Sequence, residues 1–187
     1  MAYKDKDLVF TADSIYFDYD GEKEFVMMEW ERPLMEKHAN YVCENGGDIL
    51  EIGFGMGISA DYIQANNINS HTIVEIHPDI LNKAYEWAEG KSNINIIAGD
   101  WYNSLDVLST YDGIFLDTFG DDNIDKFKDH INSLAKSGCK ISWWNNSRKP
   151  NNNTLNIEGV TYEEVNVTPP LNGYFDQSVY YLPKKQI

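Results

Sequence analysis

The sequence predicts an α/β protein, an open, mostly parallel sheet with helices on both faces and an antiparallel last strand. Three observations carry that expectation. From Asp48 to Trp144 apolar stretches of strand length alternate with helical periodicity over short connections, a pattern that forces parallel strands with right-handed crossovers. The turn Glu51-Ile52-Gly53-Phe54-Gly55-Met56-Gly57 joins the first of these strands to the first of these helices. After Trp144 two strand-like segments follow with no helix between them, which makes an antiparallel pair at that edge.

Taken in order, a polar N-terminal segment leads into apolar-rich Phe25–Trp30. Pro33 suits a first helical turn, where its missing N–H would have no partner anyway. Leu34, Met35, His38, Ala39, Val42 and Cys43 then recur at helical spacing until Gly46-Gly47 stops the helix. Strands are expected over Asp48–Ile52, His71–Ile76, Ile94–Ala98, Tyr111–Asp117 and Cys139–Trp144, and helices over Gly57–Ala65, Pro78–Glu89 and Asp121–Ser137. Asn145–Asn153 reads as an Asn-rich loop. Gly159–Val167 and Gln177–Pro183 read as the last two strands, joined through Pro169-Pro170-Leu171-Asn172-Gly173.

A chain of 187 residues fits a single domain, with an N-terminal cap and helix over 1–47, a core over 48–144 and a loop with two strands over 145–187. The net charge of −15 argues against a nucleic-acid partner, which would need clustered Lys and Arg to displace counterions. It suits a small cationic substrate, although most of it reads as solvated surface. No apolar run approaches the ~20 residues of a membrane span, and MAYKDKDLVF lacks the order of a secretion signal. A cytoplasmic protein, monomer or homodimer, is expected. Cys43 and Cys139 read as buried apolar residues rather than a disulfide framework. His38, His71, His77 and His130 show no metal-ligand spacing, so no metal is expected.

The glycines remove Cβ atoms where the backbone must turn sharply against a ligand, and the helix that follows offers free N–H groups. Their spacing excludes the dinucleotide fingerprint, which would need glycine where Ile58 stands. Glu75, at the end of the second core strand, is placed to accept from both hydroxyls of a ribose and would repel a 2′-phosphate. Asp100 and Trp101 end the third, where a carboxylate can accept from an adenine amino group and an indole can pack on the ring. Each of these has a plainer alternative, a surface carboxylate or a packing tryptophan.

The turn and the acidic strand ends resemble the class I S-adenosylmethionine-dependent methyltransferases. That resemblance implies S-adenosylmethionine as cofactor and a Rossmann-like seven-stranded sheet with a reversed strand. Val26-Met27-Met28-Glu29-Trp30-Glu31-Arg32-Pro33 is more particularly similar to the V-M-E-x-W-E-x-P segment of the guanidinoacetate N-methyltransferase family. The similarity continues through Leu50 to Met56, Asp117-Thr118 and Tyr180-Tyr181. It implies that Glu31 and Asp117 bind the guanidinium and act in catalysis. Met27, Met35, Glu51, Gly53, Phe54, Gly55, Met56, Gly57, Ile58, Glu75, Ile76, His77, Asp100, Trp101 and Asp117 would line the cofactor, and Ser147 with Arg148 would hold a substrate carboxylate. The chain departs from the family in having only the Asn-rich 145–158 between its fifth and sixth core strands, and little upstream of Val26 matches beyond Tyr16, Phe17 and Tyr19.

The chemistry supports the two carboxylates independently. A guanidinium with pKa above ~12 has no free lone pair for attack on a sulfonium methyl until a proton leaves. Flanking carboxylates can fix it by charge-assisted hydrogen bonds while one accepts that proton, and Asp117 is the better placed for the base. The expected activity is methyl transfer to a small guanidino compound such as guanidinoacetate. The alternatives are a protein arginine or other small-amine N-methyltransferase, a nicotinamide oxidoreductase, which the glycine spacing disfavours, and a non-catalytic S-adenosylmethionine-binding module. Glu31 could also serve only the dipole of a first helical turn, and Asp117 only a cap.

Overall fold

In the computed structural model, which describes residues 2–147, 155–171 and 173–187, the predicted sheet forms around the glycine turn. Its strands are β4 (Asp48–Ile52), β5 (Ser70–Glu75), β6 (Ile94–Ala98), β7 (Tyr111–Leu116), β8 (Ala135–Trp143), β9 (Thr161–Asn166) and β10 (Val179–Gln186). The order across the sheet is β6-β5-β4-β7-β8-β10-β9. β4 to β8 pair in parallel, while β10 runs antiparallel to both β8 and β9. The chain therefore leaves β4 toward one edge and returns through β7 to the other, and the crevice at such a switch point takes the ligand.

Burial explains the near-continuous apolar run of β4, because its alternate residues enter different cores. Ile49 packs with Phe115 under α1 (Arg32–Val42) and α2 (Ile58–Ala65), through Met35, Ala39, Val42, Ile58 and Ile63. Leu50 and Ile52 pack on the opposite face with Ile114, Leu116 and Ile141 under α4 (Phe127–Leu134). α3 (Pro78–Ala88) covers Ile73 with Ile80 and Ala84. Both thiols are free and buried, and burial pushes each up to about 12. No helix among the described residues is long and apolar enough to cross a membrane.

Two expectations need correction. The helix expected over Asp121–Ser137 is shorter, because the Asp121 carboxylate accepts the backbone N–H of Asn123 and the indole N–H of Trp101 and so builds a turn. Only Phe127–Leu134 is α-helical, and β8 already begins at Ala135, pairing with Tyr111. Gly138, with φ +83°, marks an irregularity inside the strand rather than its start.

The polar N-terminal segment is a second sheet of β1 (Val9–Phe10), β2 (Ser14–Tyr19) and β3 (Glu22–Met28). Tyr19 pairs with Glu22 across Asp20-Gly21, both at positive φ, the geometry that an Asp-Gly hairpin turn requires. That dipeptide was the available signal for the hairpin.

Candidate active site

Two cavities meet over the ends of β4 and β7. The first, about 290 Å³, is lined by the turn residues Gly53, Phe54 and Gly55, by Glu75 and Ile76 after β5, by Asp100 and Trp101 after β6, and by Met27 from β3. The second, about 250 Å³, is lined by Glu24 and Phe25 from β3, by Glu31, by Trp144, and by Tyr174 to Gln177 before β10. Val26, Asp117, Thr118 and Phe119 border both.

The junction exists because Gly53 has no side chain. A Cβ there would lie 1.9 Å from the carbonyl oxygen of Asp117, and the φ of +92° is one that side chains rarely adopt. Gly55 lets the turn pass the Met27 sulfur, which a Cβ would meet at 2.5 Å. Gly53→Ala is expected to cost about 3 kcal/mol or more, from a strained φ plus a backbone clash. Thermal melting with and without S-adenosylmethionine checks this, the variant losing both stability and the ligand-induced rise.

Glu75 is buried, and its carboxylate is already well used. Oε1 accepts from the backbone N–H of Ile76 and His77 at 2.8 and 2.7 Å, and Oε2 from that of Phe54 at 2.9 Å. With about four lone-pair sites on a carboxylate, one is left, on Oε2, rather than the two that a full diol contact would use. Burial raises its pKa, and these backbone bonds oppose the rise. Asp100 accepts from the Tyr102 N–H at 2.7 Å and faces the first cavity. Trp101 lines the cavity, but its ring is also core, packed against Phe127 at 5.4 Å.

The second cavity is built around carboxylates. Glu31, 2% exposed, lies in the 3₁₀ turn Glu29–Glu31 that leads into α1. Its Oε1 accepts the Met28 N–H at 2.7 Å and the Tyr174 hydroxyl. Burial, reinforced by the charge of Asp117, pushes its pKa up to about 8. Asp117 follows β7 directly, held at its backbone by N–H donation to the Ile52 carbonyl at 2.8 Å, and its carboxylate takes no hydrogen bond from the described residues. Burial, with Glu51 and Glu75 behind it, pushes its pKa up to about 7. Asp117 therefore does not cap the following helix, and Glu31 does more than serve a helix dipole, although its bond to Met28 is structural.

Not every expected residue reaches a cavity. Glu51 is fully buried beneath the turn, where it accepts from the Ser59 hydroxyl and lies 2.9 Å from His71 Nε2, so its effect on the site is the field it adds at Asp117. Met35 and Ile58 are core residues under α1 and α2. Gly57, at φ +74°, is the N-cap of α2, and Met56 donates its N–H to the Met27 sulfur at 3.2 Å. His77 caps α3 through Nδ1 and contacts the Lys6 carbonyl through Nε2. None of these six lines either cavity. Ser147 donates its N–H to Asn145 Oδ1 beside the second cavity without lining it, and Arg148 lies outside the described residues. Sequence reasoning missed Tyr3 and Phe119 on the first cavity and Tyr174, Phe175 and Asp176 on the second.

The strand order with its reversed β10, and a glycine turn at the switch point, define a class I S-adenosylmethionine-dependent methyltransferase. The chain belongs to the guanidinoacetate N-methyltransferase family: the family model of that description matches residues 11–147. S-adenosylmethionine is the cofactor of this class, and the first cavity fits it, with Cβ-free backbone at Gly53 and Gly55 and a buried acid at Glu75. Among curated relatives, protein arginine N-methyltransferase 2 of Yarrowia lipolytica is 32% identical over 162 residues, covering 78% of this chain and 33% of that protein. The protein of the same name from Saccharomyces cerevisiae is 37% identical over 138 residues, covering 66% and 33%. The chain thus spans about a third of the length of the curated relatives it matches. Among solved structures, spermidine synthase from Thermotoga maritima superposes with TM-score 0.66 at 11% identity, covering 92% of this chain and 65% of that one. Aeropyrum pernix fibrillarin with natively bound S-adenosyl-L-methionine superposes with TM-score 0.60 at 16% identity, covering 92% and 82%. At such identities the likeness is one of fold.

Proposed function

We propose that this chain transfers a methyl group to a guanidino nitrogen. The observation that carries the proposal is the position of Asp117, a carboxylate without a hydrogen-bond partner among the described residues, on the border of both cavities, with Glu31 lining the second alone. S-adenosylmethionine, when bound, supplies an electrophilic methyl on a sulfonium. Glu75, Asp100 and the turn at Gly53 to Gly55 would hold it in the first cavity. Glu31 and Asp117 would bind the guanidinium from two sides and keep one nitrogen directed at the junction. Asp117 would take the proton which that nitrogen loses as its lone pair accepts the methyl, the S–CH3 bond breaking to leave a neutral thioether. Most of the rate then comes from alignment and from a base within reach.

Guanidinoacetate is the small-molecule acceptor that the family suggests. A second reading, an arginine side chain within a polypeptide, has a specific observation behind it. Among the described residues the second cavity is lined by Glu24, Glu31, Asp117 and Asp176 and by no Lys or Arg, so among them a free substrate carboxylate meets no cation. The name carried by the fungal relatives points the same way.

Calorimetric titration is expected to show binding of S-adenosylmethionine and none of NAD. Mass spectrometry then reads a gain of one methyl on guanidinoacetate, agmatine or an arginine-containing peptide. Failure to bind S-adenosylmethionine overturns the proposal, and the acceptor that gains the methyl chooses between the two readings.

A further inference from the structure

The connection between β9 and β10 delivers Tyr174 to the acceptor cavity, 143 positions along the chain from its partner Glu31. The neighbour Phe175 anchors the segment: it is 4% exposed, stacked on Trp30 at 5.8 Å and packed on Trp144 and Tyr180. Tyr174 itself keeps 39% of its surface exposed, so its ring leans over the cavity without being part of the core. Its phenol nevertheless turns inward and donates to Glu31 Oε1, which also takes the Met28 N–H. Both lone-pair directions of that oxygen are thereby used, and only Oε2 is left to the cavity.

Resting on the guanidinium reading of the second cavity, we propose that Tyr174 is its positioning residue: the phenol favours the ionised form of Glu31 and orients it so that an incoming guanidinium meets Oε2 of Glu31 and the carboxylate of Asp117. Glu31 then binds the acceptor through one oxygen rather than as a two-oxygen fork. The groups around it make the hydrogen bond necessary. Asp117 from the end of β7 adds negative charge at Glu31, Glu24 of β3 and Asp176 of the same connection line the cavity as further acids, and no Lys or Arg is among the described lining residues. A hydrogen bond to a charged group stabilises it by an amount large enough to move its titration by about one unit.

The test uses the whole chain. In protein carrying 13C-carboxyl glutamate, with the Glu31 signal assigned by its loss in Glu31→Gln, Tyr174→Phe is expected to move the Glu31 midpoint up by about one unit. Melting temperature and S-adenosylhomocysteine affinity should stay as in the parent, which removes misfolding as a cause. With guanidinoacetate or an arginine-containing peptide, whichever the parent methylates, kcat/KM should fall about tenfold at pH 7 and come within about twofold of the parent at pH 9. An unmoved Glu31 midpoint, or a loss of kcat/KM that is the same at every pH, overturns the proposal. Methylation of neither acceptor by the parent overturns the guanidinium reading and the acceptor role of Tyr174 with it, while the carboxyl titration still judges the Tyr174–Glu31 link separately.

Discussion

Asp117→Asn is expected to lower kcat by about a thousandfold while S-adenosylmethionine affinity changes by only a few fold. The first effect follows from removing the proposed base at the reacting atom, a loss in the middle of the usual range for proton transfer. The amide is of the same size, cannot take a proton and turns two N–H donors toward a guanidinium that itself offers only donors. The second follows from position. Asp117 stands at the border of the first cavity, whereas its floor is made by the turn, Glu75 and Asp100, which the substitution leaves in place. Calorimetry for the cofactor and single-turnover mass spectrometry for the methyl separate the two, and retained turnover would refute the role given to Asp117.

Glu31→Gln carries the second large effect, and it has opposite signs on binding and on stability. Loss of the charge should weaken acceptor binding about a hundredfold, since one carboxylate of the proposed cation-binding pair is gone. Without acceptor, however, the variant should be the more stable protein. A carboxyl raised from 4.5 to about 8 in the folded state binds more protons folded than unfolded between those values. The stability of the unliganded parent therefore falls as pH rises across that window, and Asp117, raised from 3.8 to about 7, adds to the fall. Glutamine removes the larger part of this penalty, so the variant should exceed the parent by about 2 kcal/mol at pH 8 and match it near pH 4. Urea denaturation at the two pH values measures the difference, and equal stability at pH 8 would contradict the buried, charge-strained state assigned to Glu31.

Activity should run the other way from stability. The proposed guanidinium acceptor keeps its charge throughout, so kcat/KM is expected to rise between pH 6 and 9 as the two carboxyls ionise. On the proposed guanidinium reading, the strain that costs stability without acceptor is relieved when a cation enters.

The residues divide by how local their reasons are. The glycine turn was legible because its requirements are met within seven positions: a strand end, Cβ-free backbone at Gly53 and Gly55, and a helix start at Ile58. The acids Glu75, Asp100 and Asp117 were legible as strand ends, since parallel β/α alternation puts all of those ends on one edge. Glu31 was legible only through its family resemblance, because a glutamate before a helix has an ordinary explanation. The N-terminal hairpin carried its signal in Asp20-Gly21 and could have been read. Glu51 and Met35 line neither cavity, and spacing could not say so, because alone it does not tell which face of a strand or helix turns toward a ligand; Met35 lies in the core between α1 and the sheet, and Glu51 is buried against Ser59 of α2 and His71 of β5.

By itself, then, the sequence determined the parallel core, the glycine turn and the acidic strand ends above it, all consequences of short-range backbone preference and hydrophobic period. Only the tertiary structure decided that Asp117 borders both cavities, that Glu31 loses its water and that Tyr174 closes on it. Those facts depend on β10 reversing between β8 and β9, which brings the chain from Gly173 to Gln177 back over a helix start far earlier in sequence. No local propensity encodes such a meeting; it is set by which apolar faces find one another when the sheet closes.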